Sequence, residues 1–162
     1  MRLVLALLMM VSVALAQRVD RQSSEPYNAN RYSVSASTTA LTVQQPATAT
    51  NFVQFETATV YCSSGSTITP MWNATTVATA TTATIKRSPQ TTTLPAATAW
   101  SGSNAASGTT GRVDNIPAGG TFVYDMSDFT MPRASSGGTK NNLTITTSNT
   151  CTISFQWVEK EQ

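Results

Sequence analysis

The sequence contains no histidine, and only 11% of its residues are charged. The absence of histidine excludes Ser-His-Asp and Cys-His nucleophiles and the usual zinc ligand sets. The sequence also lacks a Gly-x-Ser-x-Gly elbow and the common phosphate-binding and calcium-binding loop motifs. We therefore predict a protein that is not an enzyme and that has no catalytic residues, no cofactor and no metal site.

Positive charge is too sparse for a nucleic-acid partner. The formal net charge of +2 includes Arg2, and Lys86-Arg87 is the only adjacent basic pair. Nucleic-acid-binding domains usually carry a clustered basic patch or stripe. The sequence therefore predicts no nucleic-acid binding.

Long apolar runs are absent except at the N-terminus. Residues 1–16 combine one positive charge, an apolar stretch and the small residues Ala14 and Ala16, a pattern typical of a cleaved secretory signal peptide. The stretch is shorter than the about 20 apolar residues that span a bilayer; the alternative is a buried N-terminal helix. We predict no membrane span and a secreted protein, extracellular or at the cell surface, with the periplasm as an open alternative.

The chain after residue 16 is long enough for one domain. We predict a flexible N-terminal leader containing a strand over residues 17–43 and a folded domain over residues 44–162. Helical periodicity is nearly absent, whereas short stretches rich in Thr, Val and aromatic residues alternate with Gly, Pro and Ser. These features predict an all-β fold, a single antiparallel β-sandwich or jelly-roll domain. The predicted strands are 32–36, 40–43, 52–62, 67–72, 77–85, 98–101, 122–126, 143–147 and 151–158.

The segment around predicted strand 77–85, "ATTVATATTATIK", is Thr-rich and of low complexity. Its small β-compatible side chains favour a strand packed between neighbours. A glycosylated Thr-rich stalk is the competing interpretation.

The chain has only two cysteines, Cys62 and Cys151. In an exported protein they are expected to pair, which would place the two strands that carry them side by side or face to face. Closing a loop of about 90 residues stabilises a fold by about 4–5 kcal/mol in the chain-entropy description. We therefore predict a structural disulfide that fastens the C-terminal strand.

The C-terminal strand "CTISFQWVEKEQ" alternates apolar and polar residues. Phe155 and Trp157 share the face of Cys151, so we predict that they fill the core. We expect the last four residues, "EKEQ", to lie in solvent.

Three carboxylates are the best candidates for chemistry. Glu56 lies in the middle of a predicted strand, and Asp125 and Asp128 lie close together in "FVYDMSDF". Two such groups could form a glycosidase pair, or Asp125 and Asp128 could contribute to a calcium site. The alternative, which we favour, is that Glu56 and Asp125 occupy solvent-facing strand positions and Asp128 shapes a turn.

Tryptophan and asparagine residues raise the question of glycans. Trp100 lies beside a Gly/Ser-rich loop and is the best candidate for stacking on a sugar ring, as in a carbohydrate-binding module or adhesin. Asn73 and Asn142 head Asn-x-Thr sequons, which accept glycans only in a host with that machinery.

The segment "RYSVSASTTALTV" alternates Tyr32, Val34 and Ala36 with serines and follows a polar leader. This strand could pair within its own domain, or it could complete the sheet of a neighbouring subunit by strand addition. In this layout the chain resembles the secreted, pilin-like fibre subunits of bacteria and archaea. The resemblance implies a disulfide-containing β-sandwich that polymerises with copies of itself into a surface filament or coat. The penultimate residue, Glu161, departs from the tyrosine common in chaperone-dependent pilins.

Overall fold

A computed structural model describes residues 30–46, 50–72, 81–89, 93–102, 109–131 and 141–160. These residues form strands and no helix, so the predicted all-β class is confirmed. The strands are β1 (Asn30–Gln45), β2 (Phe52–Cys62), β3 (Ser66–Trp72), β4 (Thr81–Thr82), β5 (Ile85–Arg87), β6 (Thr98–Gly102), β7 (Thr109–Thr110), β8 (Asp114–Ile116), β9 (Gly120–Asp125), β10 (Thr130–Met131) and β11 (Asn141–Lys160). All their pairings are antiparallel.

The long strand β11 organises the sheet. β1 pairs with one edge of β11 along almost its whole length. On the other edge, β2 pairs with the C-terminal half of β11 and β3 pairs with the N-terminal half. Shorter strands complete the sheet: β9 and β10 pair with β2, β7 and β8 with β3, β5 and β6 with β1, and β4 with β6.

The pairing of β11 is interrupted at the same level on both of its edges. In β11, residues 147–150 lie opposite the single residue Thr39 of β1, where the register shifts. On the other edge, residues 63–65 separate β2 from β3. Extra residues in a strand bend it locally, so we infer that the sheet bends here and divides into two halves.

Aromatic contacts show that the two halves fold back on one another. Phe55 near the start of β2 and Trp72 at the end of β3 would lie about 56 Å apart on one straight strand. Both nevertheless contact the ring of Phe129, with ring centroids 5.7 Å and 4.3 Å away. This arrangement is compatible with the predicted sandwich.

The core is one cluster of buried side chains that come from both halves of the sheet. Phe155 and Trp157 are completely buried, as the alternation in the C-terminal strand predicted. The other large, fully buried side chains include Phe55, Leu41, Ile68, Met131, Leu143, Ile145 and Ile153.

The predicted disulfide is present at the bend. Cys62 and Cys151 are bonded, with their Cα atoms 4.4 Å apart. They continue the register in which Tyr61 pairs with Thr152, so they are opposite residues on neighbouring strands. The disulfide therefore fastens β2 to β11 at the bend of the sheet.

Candidate functional site: the position of β1 in the sheet

β1 lies in the interior of the sheet, although it is the first strand of the described chain. On one side it pairs with β11 from Asn30 to Gln45. On the other side β5 pairs with residues 32–34 and β6 pairs with residues 40–44. We call the space between β11 on one side and β5 and β6 on the other the β1 slot. In the single chain this slot is filled by the chain's own strand.

The predicted boundary between leader and domain falls inside this strand. Residues 30–43 of the predicted leader belong to β1 and pair with their own chain, and residues 17–29 lie outside the described part. Of the two alternatives for this strand, pairing within its own domain is the arrangement found in the single chain.

The inward side chains of β1 are apolar and covered. Tyr32, Val34, Leu41 and Val43 are each at most 3% exposed, whereas Ala36 is half-buried. The serines between them in the first half face outward, and Ser154 Oγ donates a hydrogen bond to Ser35 Oγ at 2.8 Å. The alternation that the sequence predicted therefore fixes which face of β1 enters the core.

Tyr32 occupies a pocket at the N-terminal end of β1. Its ring centroid lies 5.9 Å from that of Trp157, and its hydroxyl donates a hydrogen bond to the Thr93 carbonyl oxygen at 3.1 Å. Burial and the negative charge of Glu159 raise the pKa of Tyr32 to about 12, against a smaller opposing effect of Arg87. The hydroxyl therefore stays protonated and able to donate at neutral pH.

Glu159 is buried at the same end of the sheet, 3% exposed. Its carboxylate accepts hydrogen bonds from the backbone N–H groups of Ala96 (2.7 Å) and Ala97 (3.0 Å) and from Trp157 Nε1 (3.2 Å). The expectation that Glu159 lies in solvent was therefore wrong. The carboxylate satisfies three N–H donors, and it fixes the 93–97 segment beside Tyr32.

The sequence did contain a signal for this carboxylate. Residues 151, 153, 155 and 157 point inward, so the same alternation places residue 159 on the inner face. Its charge favoured the solvent interpretation, and two of its three donors, the backbone N–H groups of Ala96 and Ala97, lie more than 60 residues away in sequence.

At its other end, β1 leads into a short connection to β2, residues 46–51. Gln45 is completely buried, and its Nε2 donates a hydrogen bond to the Asn51 carbonyl oxygen. Its Oε1 has no hydrogen-bond partner among the described residues. Pro46 follows directly and holds the preceding residue in an extended conformation. The connection is therefore short and stiff at its start, and one buried amide joins its two ends.

The predicted carboxylate candidates have structural partners. Glu56 forms a 3.1 Å ion pair with Arg31 of β1. The Ser127 backbone N–H donates to Asp125 at 3.0 Å and holds the pKa of that carboxyl below its usual value. Asp128 is exposed in the turn after β9. Within the described part of the chain, no group of three or more metal-ligating side chains occurs.

The glycan candidates lie on other parts of the fold. Trp100 of β6 is half-buried, and its Nε1 donates to Thr98 Oγ1 at 3.3 Å. Asn142 is only 7% exposed in β11, so the observed packing leaves no room for a glycan on its side chain. Asn73 lies outside the described residues. Carbohydrate binding by Trp100 stays a prediction.

No protein-family model, curated protein or solved structure matches this chain. Among the residues that the structure describes, no helix is long and apolar enough to cross a membrane. The disulfide fits a protein that folds in an oxidising compartment outside the cytoplasm.

Proposed function

We propose that this protein is a secreted, non-enzymatic structural subunit that assembles with copies of itself by exchanging β1. In the assembled form, β1 of one copy fills the β1 slot of the next. The observation that carries the proposal is the position of β1: it is inserted between two sets of strands, and only residues 46–51 join it to the next strand. A strand added from another chain uses the same backbone hydrogen bonds as one supplied in the same chain.

The energetics require the slot to be filled. Each fully buried large apolar side chain contributes about 1.5–3 kcal/mol, and β1 supplies four large inward residues that are at most 3% exposed. Removing β1 therefore costs on the order of 6–12 kcal/mol, which is comparable with the whole stability of a small domain. An empty slot is scarcely populated, so β1 is expected to enter a neighbouring chain during folding and not to leave a closed sheet.

The disulfide would keep the receiving chain intact while its slot is open. Cys62 and Cys151 join β2 to β11 on the edge of β11 that faces away from β1. The wall of the slot formed by β11 therefore stays attached to β2 whichever copy supplies β1.

The connection after β1 would act as the hinge. In the exchanged form Gln45 would lie opposite Asn141 of the neighbouring copy, and residues 46–51 would run from there to β2 of the donor. Six residues span at most about 20 Å, so donor and acceptor copies would lie in direct contact.

Cross-linking between two single variants tests the exchange. Ser35 and Ser154 are paired across β1 and β11 with their hydroxyl oxygens 2.8 Å apart. Ser35→Cys chains and Ser154→Cys chains, each starting at Gln17 and keeping the native disulfide, are unfolded without reductant, mixed, refolded and oxidised. Exchange of β1 predicts covalent dimers in which residue 35 of one chain is bonded to residue 154 of the other, identified by mass spectrometry of peptides.

A matched pair of variants controls for random oxidation. Thr59 of β2 lies on the same outward face but is separated from Ser35 by β11, because Thr59 pairs with Ser154. Mixing Ser35→Cys with Thr59→Cys should give no specific dimer. If the Ser35→Cys and Ser154→Cys mixture stays monomeric while the Ser35→Cys/Ser154→Cys double variant closes within one chain, strand exchange is wrong.

A further inference from the structure

We infer that Trp157, Glu159 and the 93–97 segment form a receptor for the tyrosine of an incoming β1, which selects the register of the strand that another copy donates. This inference rests on the proposed exchange and adds to it the residues that decide how the donated strand is aligned. The side chains that carry it lie at the end of the slot opposite to the hinge.

Alternation alone leaves the register of β1 incompletely specified. A slip by one residue would turn the inward face outward, so the core excludes it. A slip by two residues keeps the apolar face inward. It is therefore disfavoured only where a side chain no longer fits the shape or the polar groups of its pocket. In the first half of β1, Tyr32, Val34 and Ala36 follow one another on the inward face, so a two-residue slip would replace Tyr32 by Val34 or Asn30.

The pocket contains an acceptor that Tyr32 satisfies and Val34 could not. The Thr93 carbonyl oxygen accepts the Tyr32 hydroxyl at 3.1 Å, and the ring lies against Trp157. A valine side chain at this place could neither donate to Thr93 nor fill the space of a phenol ring. A slip that brings Val34 here therefore leaves a cavity and removes the hydroxyl donor of the Thr93 carbonyl group.

Glu159 holds this receptor in place, and it does so from the acceptor chain and not from the donated β1. It belongs to β11, and its carboxylate accepts the N–H groups of Ala96 and Ala97. The 93–97 segment is thus fixed by the acceptor chain itself, and the Thr93 carbonyl group is positioned before a donor arrives. Glu159 is a positioning residue, and Tyr32 is the residue that is recognised.

The test compares aligned and slipped cross-links. Ser35→Cys is mixed and refolded either with Ser154→Cys, its partner in the observed register, or with Gln156→Cys, which lies opposite residue 35 when a two-residue slip puts Val34 in the place of Tyr32. The parent should give mainly the aligned dimer. Adding Tyr32→Phe to the donor should lower the ratio of aligned to slipped dimer about three- to tenfold. Tyr61→Phe, at an exposed outward-facing tyrosine of β2, should leave the ratio unchanged.

Glu159→Gln in the acceptor provides the second variant. Since Gln replaces one carboxylate oxygen by an NH2 group that cannot accept from the backbone, the 93–97 segment should lose its position. The effect of Tyr32→Phe in the donor should then shrink towards zero. If the parent forms neither dimer, strand exchange itself is wrong and this assignment falls with it. If the parent forms dimers but Tyr32→Phe leaves the ratio unchanged, exchange stands and the receptor is refuted.

Discussion

Removing the disulfide tests how much this bond contributes to the stability of the fold. The double variant Cys62→Ala/Cys151→Ala deletes the bond without leaving a free thiol. The two residues are 89 positions apart in sequence, and the chain-entropy relation for a loop of this length gives a loss of about 4.6 kcal/mol at 25 °C. Both residues are at most 2% exposed, so the small cavity left by two sulfur atoms adds about 1–2 kcal/mol.

We therefore expect the double variant to lose about 5–6 kcal/mol of unfolding free energy, which would leave a domain of this size marginally stable. The measurement is urea denaturation followed by tryptophan fluorescence, with the wild type under oxidising and reducing conditions as the comparison. Reduced wild type should lose the entropic part alone, since its sulfur atoms still fill the core. A loss below about 2 kcal/mol in both would refute the reasoning, because the cross-link would then scarcely restrict the unfolded chain.

Three further predictions concern side chains inside and outside the core. Val60→Ala should cost about 2–3 kcal/mol because Val60 is completely buried, whereas Val123→Ala, at a residue 60% exposed, should cost less than about 0.5 kcal/mol in the same urea titration. The hydroxyls of Thr42 and Thr144 form a buried 2.7 Å hydrogen bond, so Thr42→Val alone should cost about 1–3 kcal/mol, and adding Thr144→Val should recover most of that loss in a double-mutant cycle. The raised pKa of Tyr32, about 12 against an ordinary 10.0, contributes stability that is present below pH 10 and lost as the pH rises towards 12. Thermal denaturation should therefore show a smaller decline between pH 10 and 12 in Tyr32→Phe than in the wild type, and equal declines would contradict the assignment.

The strand content of this fold could be predicted from the sequence because the longer strands contain stretches with a period of two, such as residues 32–36 and 151–157. The pairs 32–36 with 40–43 and 143–147 with 151–158 were predicted as separate strands, yet each pair belongs to one continuous strand, β1 and β11. Polar residues separate the predicted strands in each pair. In the structure they lie at the bend, where β11 carries extra residues opposite Thr39. A bend within a strand and a turn between strands use the same residue types, so composition alone does not distinguish them.

The receptor around Tyr32 could be predicted only in part. Alternation identified Tyr32 and Trp157 as inward-facing, and both are buried. The acceptor of the Tyr32 hydroxyl and the donors to Glu159 come from the 93–97 segment, which no local pattern connects to either end of the chain. Such contacts depend on how the two halves of the sheet fold together, and that information is distributed over the whole core.

The first and last strands of the described chain are direct neighbours in the sheet. β1 and β11 remain paired on both sides of the bend. β11 is held independently of β1 by the disulfide to β2 and by the pairing of β3. Within the described part of the chain, the disulfide fastens β11 and does not involve β1. A fold that cross-links one central strand and not its neighbour has the asymmetry that the proposed strand donation needs: a permanent acceptor wall and a transferable donor.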